Sequence, residues 1–214
     1  MPVNIDSTTE KLYQWQQYNK GGIGRLYWDY RDKVALNLVD DKDRVIVDLG
    51  CGEGITLKKI VNKFPAAIVL GIDGMTENID ICTRLGLPAS LGDVYNLDLP
   101  ENSVDVVLLF EVIEHLSEPL KALREIHRIL KPNGKLIIIF PNDGFFKIAR
   151  ILTLKIKEAA YDPGHVKQWT YGNMMPVLKQ AGFSTFFYRS IPFFLWPVCL
   201  HGVVGARKFA DGTR

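Results

Sequence analysis

The residues of this chain with the clearest chemical potential are one carboxylate and a set of glycines that follow a short apolar run. Residues 45–47 are branched and apolar, which is typical of a strand buried on both faces of a parallel sheet, and Asp48 follows directly. The glycines stand at alternate positions after it: Gly50, Gly52 and Gly54. Glycine lets the backbone turn sharply and come close to a ligand, and a helix predicted to begin near Ile55 would point free N–H groups at the same place. The pattern predicts a pocket for a ligand that carries both charges close together, as an amino acid does.

Two further acids are predicted to lie at the same edge of the sheet. Asp73 ends a second apolar run, at the spacing of an acid that accepts hydrogen bonds from a ribose. Asp93 ends a third run and is placed to receive the exocyclic amine of an adenine. Open α/β sheets bind ligands beside the carboxyl ends of their strands. Together with Asp48, these carboxylates outline an amino acid, a sugar and a base, which is the outline of S-adenosylmethionine.

Five blocks of the sequence resemble the class I S-adenosylmethionine-dependent methyltransferases in order and spacing, over roughly residues 30 to 190. The blocks are residues 47–54, 71–73, 92–93, 110–116 and 130–136. Within that superfamily the chain looks like the small-molecule O-methyltransferase branch related to ubiquinone biosynthesis. The resemblance implies S-adenosylmethionine as the cofactor.

The resemblance also implies roles for individual residues of the cofactor site. Asp48 is expected to orient the methionyl ammonium, and Asp73 to hold the ribose hydroxyls. Residues 74–75 are expected along the adenine, and residues 93–94 are expected to flank it. The complete set of expected cofactor residues is Asp48, Gly50, Cys51, Gly52, Gly54, Asp73, Gly74, Met75, Asp93, Val94 and Phe110.

A dinucleotide-binding alternative fits less of the sequence. Its fingerprint, Gly-x-Gly-x-x-Gly, requires glycine at the sixth position, where this chain has Ile55. The spacing of Asp73 suits either ligand. Asp93 and the block 111–115 have no counterpart in the dinucleotide pattern, so the sequence favours S-adenosylmethionine.

The composition is that of one globular domain. The chain has 214 residues, of which 47% are hydrophobic and 23% charged, enough to bury a core. A formal charge of +2 gives no reason to expect DNA or another nucleic acid as the default partner. The three cysteines lack metal or redox spacing, and the sequence shows neither a secretory pattern nor the roughly 18 apolar residues of a spanning helix. We therefore expect a reduced, cytoplasmic setting.

Strands alternate with helices along the chain, which predicts a doubly wound, mainly parallel Rossmann-like α/β sheet of six to seven strands. Strands are predicted near 44–49, 67–72, 88–92, 104–110, 134–140 and 183–189. Helices are predicted near 55–63, 76–84, 118–131, 144–158 and 171–181. Residues 132–134 predict a turn that ends a helix at Lys131. The candidate seventh strand, 191–198, is interrupted by Pro192 and Pro197, which leaves its formation open.

The chain is predicted to have three parts. They are a helical lid segment at 1–40, the methyltransferase domain at 41–190 with an acceptor-side insert at 144–170, and an apolar C-terminal segment at 191–214. The first part is rich in aromatics and predicts two helices, one capped by Thr8 or Thr9 and one near 24–40. In the resembling family such segments fold over the cofactor. The alternative is that their rings pack on the outer face of the sheet.

The block 111–115 carries two carboxylates and an imidazole. If it opens a helix, Glu111, Glu114 and His115 lie on one face at i, i+3 and i+4. Such a trio can hold Mg²⁺, Mn²⁺ or Zn²⁺, with His165 available as a fourth ligand. The set resembles the metal-binding residues of small-RNA terminal 2′-O-methyltransferases. Because other family members use the Glu-His pair to orient a substrate or a strand end, a divalent metal is not the default expectation.

Without a metal, the expected catalytic residues are His115, His165 and Glu114. An imidazole that titrates near neutral pH is a suitable proton acceptor for a hydroxyl substrate. The alternative for His165 is a loop residue bonded to backbone. His127 is expected to be solvated in the middle of a helix, and His201, in an apolar stretch, has no partner that the sequence identifies.

Two apolar segments suggest the nature of the methyl acceptor. Residues 145–159 have the spacing of a basic amphipathic helix, and residues 191–200 concentrate large apolar side chains. We hypothesise a hydrophobic acceptor, such as a prenylated quinone, lipid or glycolipid, met by peripheral contact at the membrane surface. The alternative is a homodimer interface or ordinary core.

The sequence therefore predicts methyl transfer from S-adenosylmethionine to a small apolar acceptor, preferably at oxygen. An RNA methyltransferase is the main alternative among enzymes, although the near-neutral charge argues against it. A non-catalytic S-adenosylmethionine-binding partner subunit is the alternative from another class.

Overall fold

The computed structural model describes residues 13–142, 166–193 and 199–209, and seven strands in these ranges form one sheet. The strands are β1 Val45–Leu49, β2 Ile68–Asp73, β3 Ala89–Leu91, β4 Val104–Phe110, β5 Leu130–Pro141, β6 Phe183–Ile191 and β7 His201–Lys208. The helices are α1 Tyr13–Asn19, α2 Gly22–Leu36, α3 Ile55–Lys63, α4 Thr76–Arg84, α5 Pro119–Ile129 and α6 Tyr171–Gln180, with a 3₁₀ turn at Ile113–His115. None of these helices combines the length and apolarity that crossing a bilayer requires.

The strand order β3-β2-β1-β4-β5-β7-β6 brings the carboxyl ends of β1, β2 and β4 to one edge of the sheet. The five strands β1 to β5 are parallel, and β7 runs antiparallel between β5 and β6. His201, the first residue of β7, pairs with Pro141 at the end of β5, so the start of β7 lies at the same edge. The predicted doubly wound, mainly parallel sheet is confirmed.

The seventh strand lies later in the chain than its candidate segment. Residues 201–208 form β7, not residues 191–198. Proline has no N–H to donate to a strand ladder, so Pro192 and Pro197 suit the approach to a strand better than its interior. The segment 201–208 contains no proline, and its valines lie buried between the two neighbouring strands.

The sheet is rigid because its central strands are buried on both faces by alternating side chains. Val107, Leu109 and Ile138 face α5 and α6. Val106 and Leu108 face α2 and α3 on the other side. Each such side chain contributes about 1.5–3 kcal/mol by leaving water, so the strand ends that carry the site acids stand on a fixed support.

Two boundaries differ from the sequence prediction. Helix α2 spans Gly22–Leu36 and not 24–40. Helix α5 ends at Ile129, and the predicted turn at 132–134 lies inside the bounds of β5 as a bulge. Val104 pairs with Leu130 and Val106 with Lys135, so the four residues between 130 and 135 protrude. The predicted helix at 144–158 and the capping residues Thr8 and Thr9 lie outside the described residues.

Candidate active site

The glycine loop that follows β1 is held against the end of β2. The N–H groups of Gly50 and Cys51 both donate to the carbonyl of Ile72, at 2.7 and 3.2 Å. Gly50 has a φ of 79°, and a Cβ there would overlap the side chain of Val112. The loop therefore requires glycine at this position for two reasons: a left-handed backbone and the close approach of the chain that follows β4.

Asp48 is a buried carboxylate with an unused oxygen. Its side chain is 2% exposed, and Oδ2 has no hydrogen-bond partner among the described residues. Burial, and then the nearby charges of Asp32 and Asp73, raise the pKa of Asp48 to about 7. A buried acceptor left in this state is costly unless a ligand satisfies it. The site therefore fits the ammonium of the predicted cofactor.

Asp73 connects the glycine loop to the end of β2. Its Oδ2 accepts from the N–H of Gly52 at 2.8 Å, and its Oδ1 accepts from the N–H of Met75 at 3.0 Å and from Asn78 Nδ2 at 2.9 Å. An ionised carboxylate has about four acceptor sites, so it can also take a ligand hydroxyl. Asp73 thus shapes the loop directly, in addition to the ribose role that the sequence predicts.

The other expected cofactor residues divide between the cleft and the core. The N–H of Gly92 donates to the carbonyl of Asp73 at 3.0 Å, so the loops after β2 and β3 are adjacent. Asp93 is exposed and accepts from the N–H of Tyr95 at 2.9 Å, while Met75 is 57% exposed. Phe110 packs in the core with residues of α2. Its side chain therefore serves the fold, and only its backbone faces the strand end.

Helix α1 lies on the glycine loop through Glu53, which the sequence analysis did not identify. The two carboxylate oxygens of Glu53 accept from the N–H groups of Gln14 and Trp15, at 3.0 and 2.9 Å. Trp15 Nε1 donates to the carbonyl of Glu53 at 2.7 Å. These amides belong to the first turn of α1, whose free N–H groups favour a carboxylate. The contact places the side chain of Gln14 beside Gly52.

A cluster of ionised groups joins α2, β4 and β7 at the same edge. Glu111 Oε1 accepts from Arg31 Nη1 at 2.8 Å and from His201 Nε2 at 2.6 Å. The other ring nitrogen of His201 contacts the hydroxyl of Tyr27. We call Tyr27, Arg31, Glu111 and His201 the Glu111 cluster. The sequence analysis missed its composition because Tyr27 and His201 are 174 positions apart and no local pattern links them.

The surroundings of Glu111 favour the ionised form of its carboxylate. Burial alone would raise the pKa of Glu111, but the charges of Arg31 and His201 outweigh burial and hold that pKa well below its usual range. Burial raises the pKa of Tyr27, which keeps its hydroxyl protonated. Glu111 also has a φ of 55°, a left-handed backbone that is strained for a glutamate. The strain and the ion pairs occur at the end of the central strand β4.

Glu111, Glu114 and His115, the trio considered as metal ligands, do not share a helical face, because the helix on which that arrangement depended does not form. Residues 113–115 form a 3₁₀ turn, in which Glu114 is 1% exposed while His115 is exposed to solvent. The Glu111 carboxylate is engaged by the cations of its own cluster. Within the described ranges, no three acidic, histidine or cysteine side chains meet in a group that could hold a metal ion. His165, the suggested fourth ligand, lies outside the described residues.

The carboxyl end of the acceptor-side insert returns to this turn. The N–H groups of Val166 and Lys167 donate to the carbonyl of Glu114 at 2.9 and 3.2 Å. Trp169 Nε1 donates to the carbonyl of Ile113 at 3.1 Å. The turn that carries Glu114 and His115 is therefore fixed from two sides, by β4 and by residues 166–169.

Comparison with known proteins agrees with this geometry. A family model described as a methyltransferase domain matches residues 47–138, which run from β1 into β5. A protein of Mycolicibacterium smegmatis, named as a probable S-adenosylmethionine-dependent methyltransferase, is 28% identical over 160 residues, 74% of this chain and 60% of that protein. A demethylmenaquinone methyltransferase of Chlamydia muridarum is 30% identical over 155 residues, 70% of this chain and 59% of that protein. The chain thus spans about 60% of the length of these two relatives.

The fold is also similar to that of solved methyltransferase structures. A chain in the complex between the Haloferax volcanii Trm112 methyltransferase activator and a methyltransferase superposes with a TM-score of 0.70 at 19% identity, covering 94% of this chain and 98% of that one. At that identity the likeness concerns the fold. Residues 47–138 thus match a methyltransferase domain, and the chain is similar in sequence and in fold to S-adenosylmethionine-dependent methyltransferases.

Proposed function

We propose that this protein transfers the methyl group of S-adenosylmethionine to the oxygen of a small, hydrophobic acceptor. The observation that carries the proposal is the unused, buried oxygen of Asp48 beside the glycine loop. S-adenosylmethionine held by Asp48, Asp73 and the glycine loop would supply an activated methyl group, bonded to a sulfonium, for transfer to the acceptor oxygen. The contribution of the protein is to hold donor and acceptor in line, which lowers the activation barrier by about 7–11 kcal/mol at best.

Each part of the loop has a role in holding the donor. Asp48 takes the methionyl ammonium, and the open backbone around Gly50 and Gly52 lets the rest of the amino acid approach. Asp73 keeps Gly52 in place through its Oδ2 and offers its remaining acceptor sites to the ribose. Because β1 and β2 are buried in the sheet, these groups hold their positions before the cofactor arrives.

Transfer to a hydroxyl requires that the acceptor lose a proton. His115 is exposed in the turn after β4, close to the end of the strand that adjoins the glycine loop. We assign the role of accepting the hydroxyl proton to a ring nitrogen of His115, and His165 is the second candidate for this role. Glu114 positions the turn, since its carbonyl receives the N–H groups of Val166 and Lys167.

Apolar side chains at the active edge support a hydrophobic acceptor. Met75 is 57% exposed after β2, Val166 is 65% exposed beside the turn, and Phe193 is 58% exposed just beyond the end of β6. Apolar side chains exposed around a polar cleft are typical of a site for an apolar ligand. One relative is named as a demethylmenaquinone methyltransferase and another as a tRNA U34 carboxymethyltransferase. Because these named substrates differ, the proposal of a hydrophobic acceptor rests on the exposed apolar side chains.

The pairing of the nearby cations argues against RNA as the acceptor. Arg31 binds Asp32 and Glu111, and Lys59 binds Asp29 and Asp32, all within 3.0 Å. Cations neutralised in this way add little attraction for a phosphate backbone. The described cleft therefore offers a better fit to a small acceptor.

Product identification tests the proposal. The protein is incubated with S-adenosylmethionine labelled in its methyl group and with a lysate from which its own small molecules and lipids can be extracted. We expect label in a solvent-extractable product whose mass rises by one methyl group. Label found in RNA would favour the RNA alternative instead.

Two variants separate catalysis from binding. His115→Ala should keep cofactor affinity, measured by titration calorimetry, and lose transfer to the identified product. Asp48→Asn should lose affinity, while Asp41→Asn, an exposed residue before β1, should not. Binding without transfer to any acceptor by the unaltered protein would support the non-catalytic subunit.

A further inference from the structure

Two cysteines that are far apart in the sequence meet at the glycine loop. Cys51 lies in the loop and Cys82 in α4, and both belong to one buried cluster with Leu57. The sulfur of Cys82 lies 3.5 Å from the carbonyl oxygen of Gly52, and the sulfur of Cys51 lies 3.9 Å from the same oxygen. We call Cys51 and Cys82 the loop dithiol.

The two thiols also interact with each other. A hydrogen bond between them is the largest cause that raises the pKa of the Cys51 thiol and lowers that of the Cys82 thiol. The two thiols therefore share one buried environment beside the carbonyl oxygen of Gly52. Neighbouring thiols are the arrangement from which disulfides form, by attack of one sulfur on the other.

Two glycines provide the space for the sulfur atoms. A Cβ at Gly71 would lie 2.9 Å from the sulfur of Cys51, and a Cβ at Gly54 would lie 2.8 Å from the sulfur of Cys82. Both contacts are closer than ordinary van der Waals distances. The backbone of β2 and the start of α3 thus confine both sulfurs to one volume, and ordinary side chains at these glycines would force them out of it.

We propose that the loop dithiol is a modification site, at which a hydroperoxide converts Cys51 and Cys82 to a reversible disulfide that lowers the affinity for S-adenosylmethionine. One sulfur attacks the peroxide, its oxygen–oxygen bond breaks, and a sulfenic acid and one molecule of water or alcohol result. The second thiol then displaces water as the sulfur–sulfur bond forms. The two sulfurs supply both electrons, and both thiol hydrogens leave in the products.

The effect on the cofactor follows from the position of Gly52. Its carbonyl accepts from both thiols, and its N–H donates to Asp73. Disulfide formation removes both S–H donors and draws Cys51 toward α4, since bonded sulfurs stand only about 2.05 Å apart. The backbone of Gly52 therefore shifts where the cofactor must approach. This half of the inference rests on the proposed cofactor site, whereas the disulfide itself does not.

Peptide mapping tests the disulfide without any cofactor. Trypsin places Cys51 in peptide 45–58, Cys82 in peptide 64–84 and Cys199 in peptide 190–207. After treatment of the free protein with hydrogen peroxide, we expect peptides 45–58 and 64–84 to be joined and to separate on reduction. Cys199, which is also buried, should remain a free thiol. The proposal would be overturned if Cys51 and Cys82 were found as free thiols or as separate sulfinic acids.

Calorimetry with S-adenosylmethionine tests the effect on binding. We expect the oxidised protein to bind roughly 5- to 150-fold more weakly than the reduced protein, the usual range for coupled sites. Coupling is reciprocal, so the cofactor should raise the midpoint potential of the disulfide by about 30 mV for each tenfold of affinity. A disulfide that leaves affinity unchanged would refute the regulatory half, and a reduced protein that binds no cofactor would refute the proposed function instead.

Matched cysteine variants complete the test. Cys82→Ser, whose hydroxyl retains a donor toward the Gly52 carbonyl, should bind the cofactor normally under reducing conditions and form no disulfide with peroxide. Cys199→Ala should behave as the unaltered protein. Should Cys82→Ser fail to fold, the peptide map of the unaltered protein decides the matter.

Discussion

At the scale of single residues, the protonation state of the buried acid Asp48 is coupled to the binding of a cationic ligand. Its pKa is raised to about 7 by burial and by Asp32 and Asp73, so the free protein near neutral pH is divided between two protonation states. A cationic ligand stabilises the ionised form. Binding must therefore remove the proton from molecules that still carry it.

The first prediction concerns proton release from Asp48. Below pH 7, S-adenosylmethionine should bind with release of a proton, and affinity should fall by up to about tenfold per pH unit. Titration calorimetry at pH 6 in two buffers of different ionisation enthalpy measures the release. Asp48→Asn should bind about 1–3 kcal/mol more weakly and without this release, while Asp41→Asn keeps both. Equal heats in the two buffers would contradict the assignment.

The same group affects the stability of the free protein. The folded pKa of Asp48, about 7, exceeds the unfolded value of about 4. Its contribution to stability is therefore fully present below pH 4 and declines as the pH rises to about 7. In urea unfolding at pH 5 and pH 8, the unaltered protein should lose more stability across this range than Asp48→Asn. Equal losses in the two proteins would show that Asp48 is ionised without cost in the folded state.

At the scale of elements, Glu53 determines where α1 lies. Glu53→Gln retains the shape of the side chain but weakens two hydrogen bonds to a charged acceptor, each worth about 1.5–3 kcal/mol. We expect faster hydrogen exchange at the amides of Gln14 and Trp15 and a red shift of Trp15 fluorescence. Glu101→Gln, an exposed site before β4, is the control. Unchanged exchange at these two amides would mean that α1 is held by the ring contacts of Trp15 alone.

The Glu111 cluster makes a second prediction at this scale. Glu111→Gln removes the charge that Arg31 and His201 share, and Glu111 is 38% exposed, so solvent screening limits the loss to about 1–3 kcal/mol. The depressed pKa of Glu111 means that its contribution is present above the unfolded pKa and is lost as the pH falls. The unaltered protein should therefore lose stability toward acid pH more steeply than Glu111→Gln. Parallel curves in acid titrations followed by circular dichroism would exclude this role.

The elements also show what sequence patterns can and cannot predict. The strand ends at Asp48, Asp73 and Asp93 were predictable because each closes a local apolar run. The partners of His201 and the meeting of Cys51 with Cys82 were not, because tertiary contacts between distant segments create them. The metal trio failed for a related reason: helical spacing was assumed for 111–115, whereas the left-handed backbone of Glu111 and a 3₁₀ turn separate the three side chains.

At the scale of the whole molecule, both flanks of the acceptor-side insert lie at the edge of the sheet that carries the site. The basic amphipathic pattern at 145–159 lies outside the described residues, but Val166, at the carboxyl end of the insert, donates its N–H to the carbonyl of Glu114 in the turn after β4. The insert is therefore connected to the active edge at its carboxyl end. Its amino end leaves β5 at Pro141, at the same edge.

The insert leads to a prediction about membranes. Basic residues on the polar face of such a segment attract anionic lipid with about 1 kcal/mol each. The protein should therefore co-sediment with anionic vesicles at low salt and be released by high salt. Changing Lys147, Arg150 and Lys157 together to Glu should abolish binding, since three attractions become repulsions. The matched change of the exposed Lys20, Lys42 and Arg84 alters net charge equally but leaves the insert intact. If both triple variants lose binding alike, the attraction is one of overall charge and the insert has no special part in it.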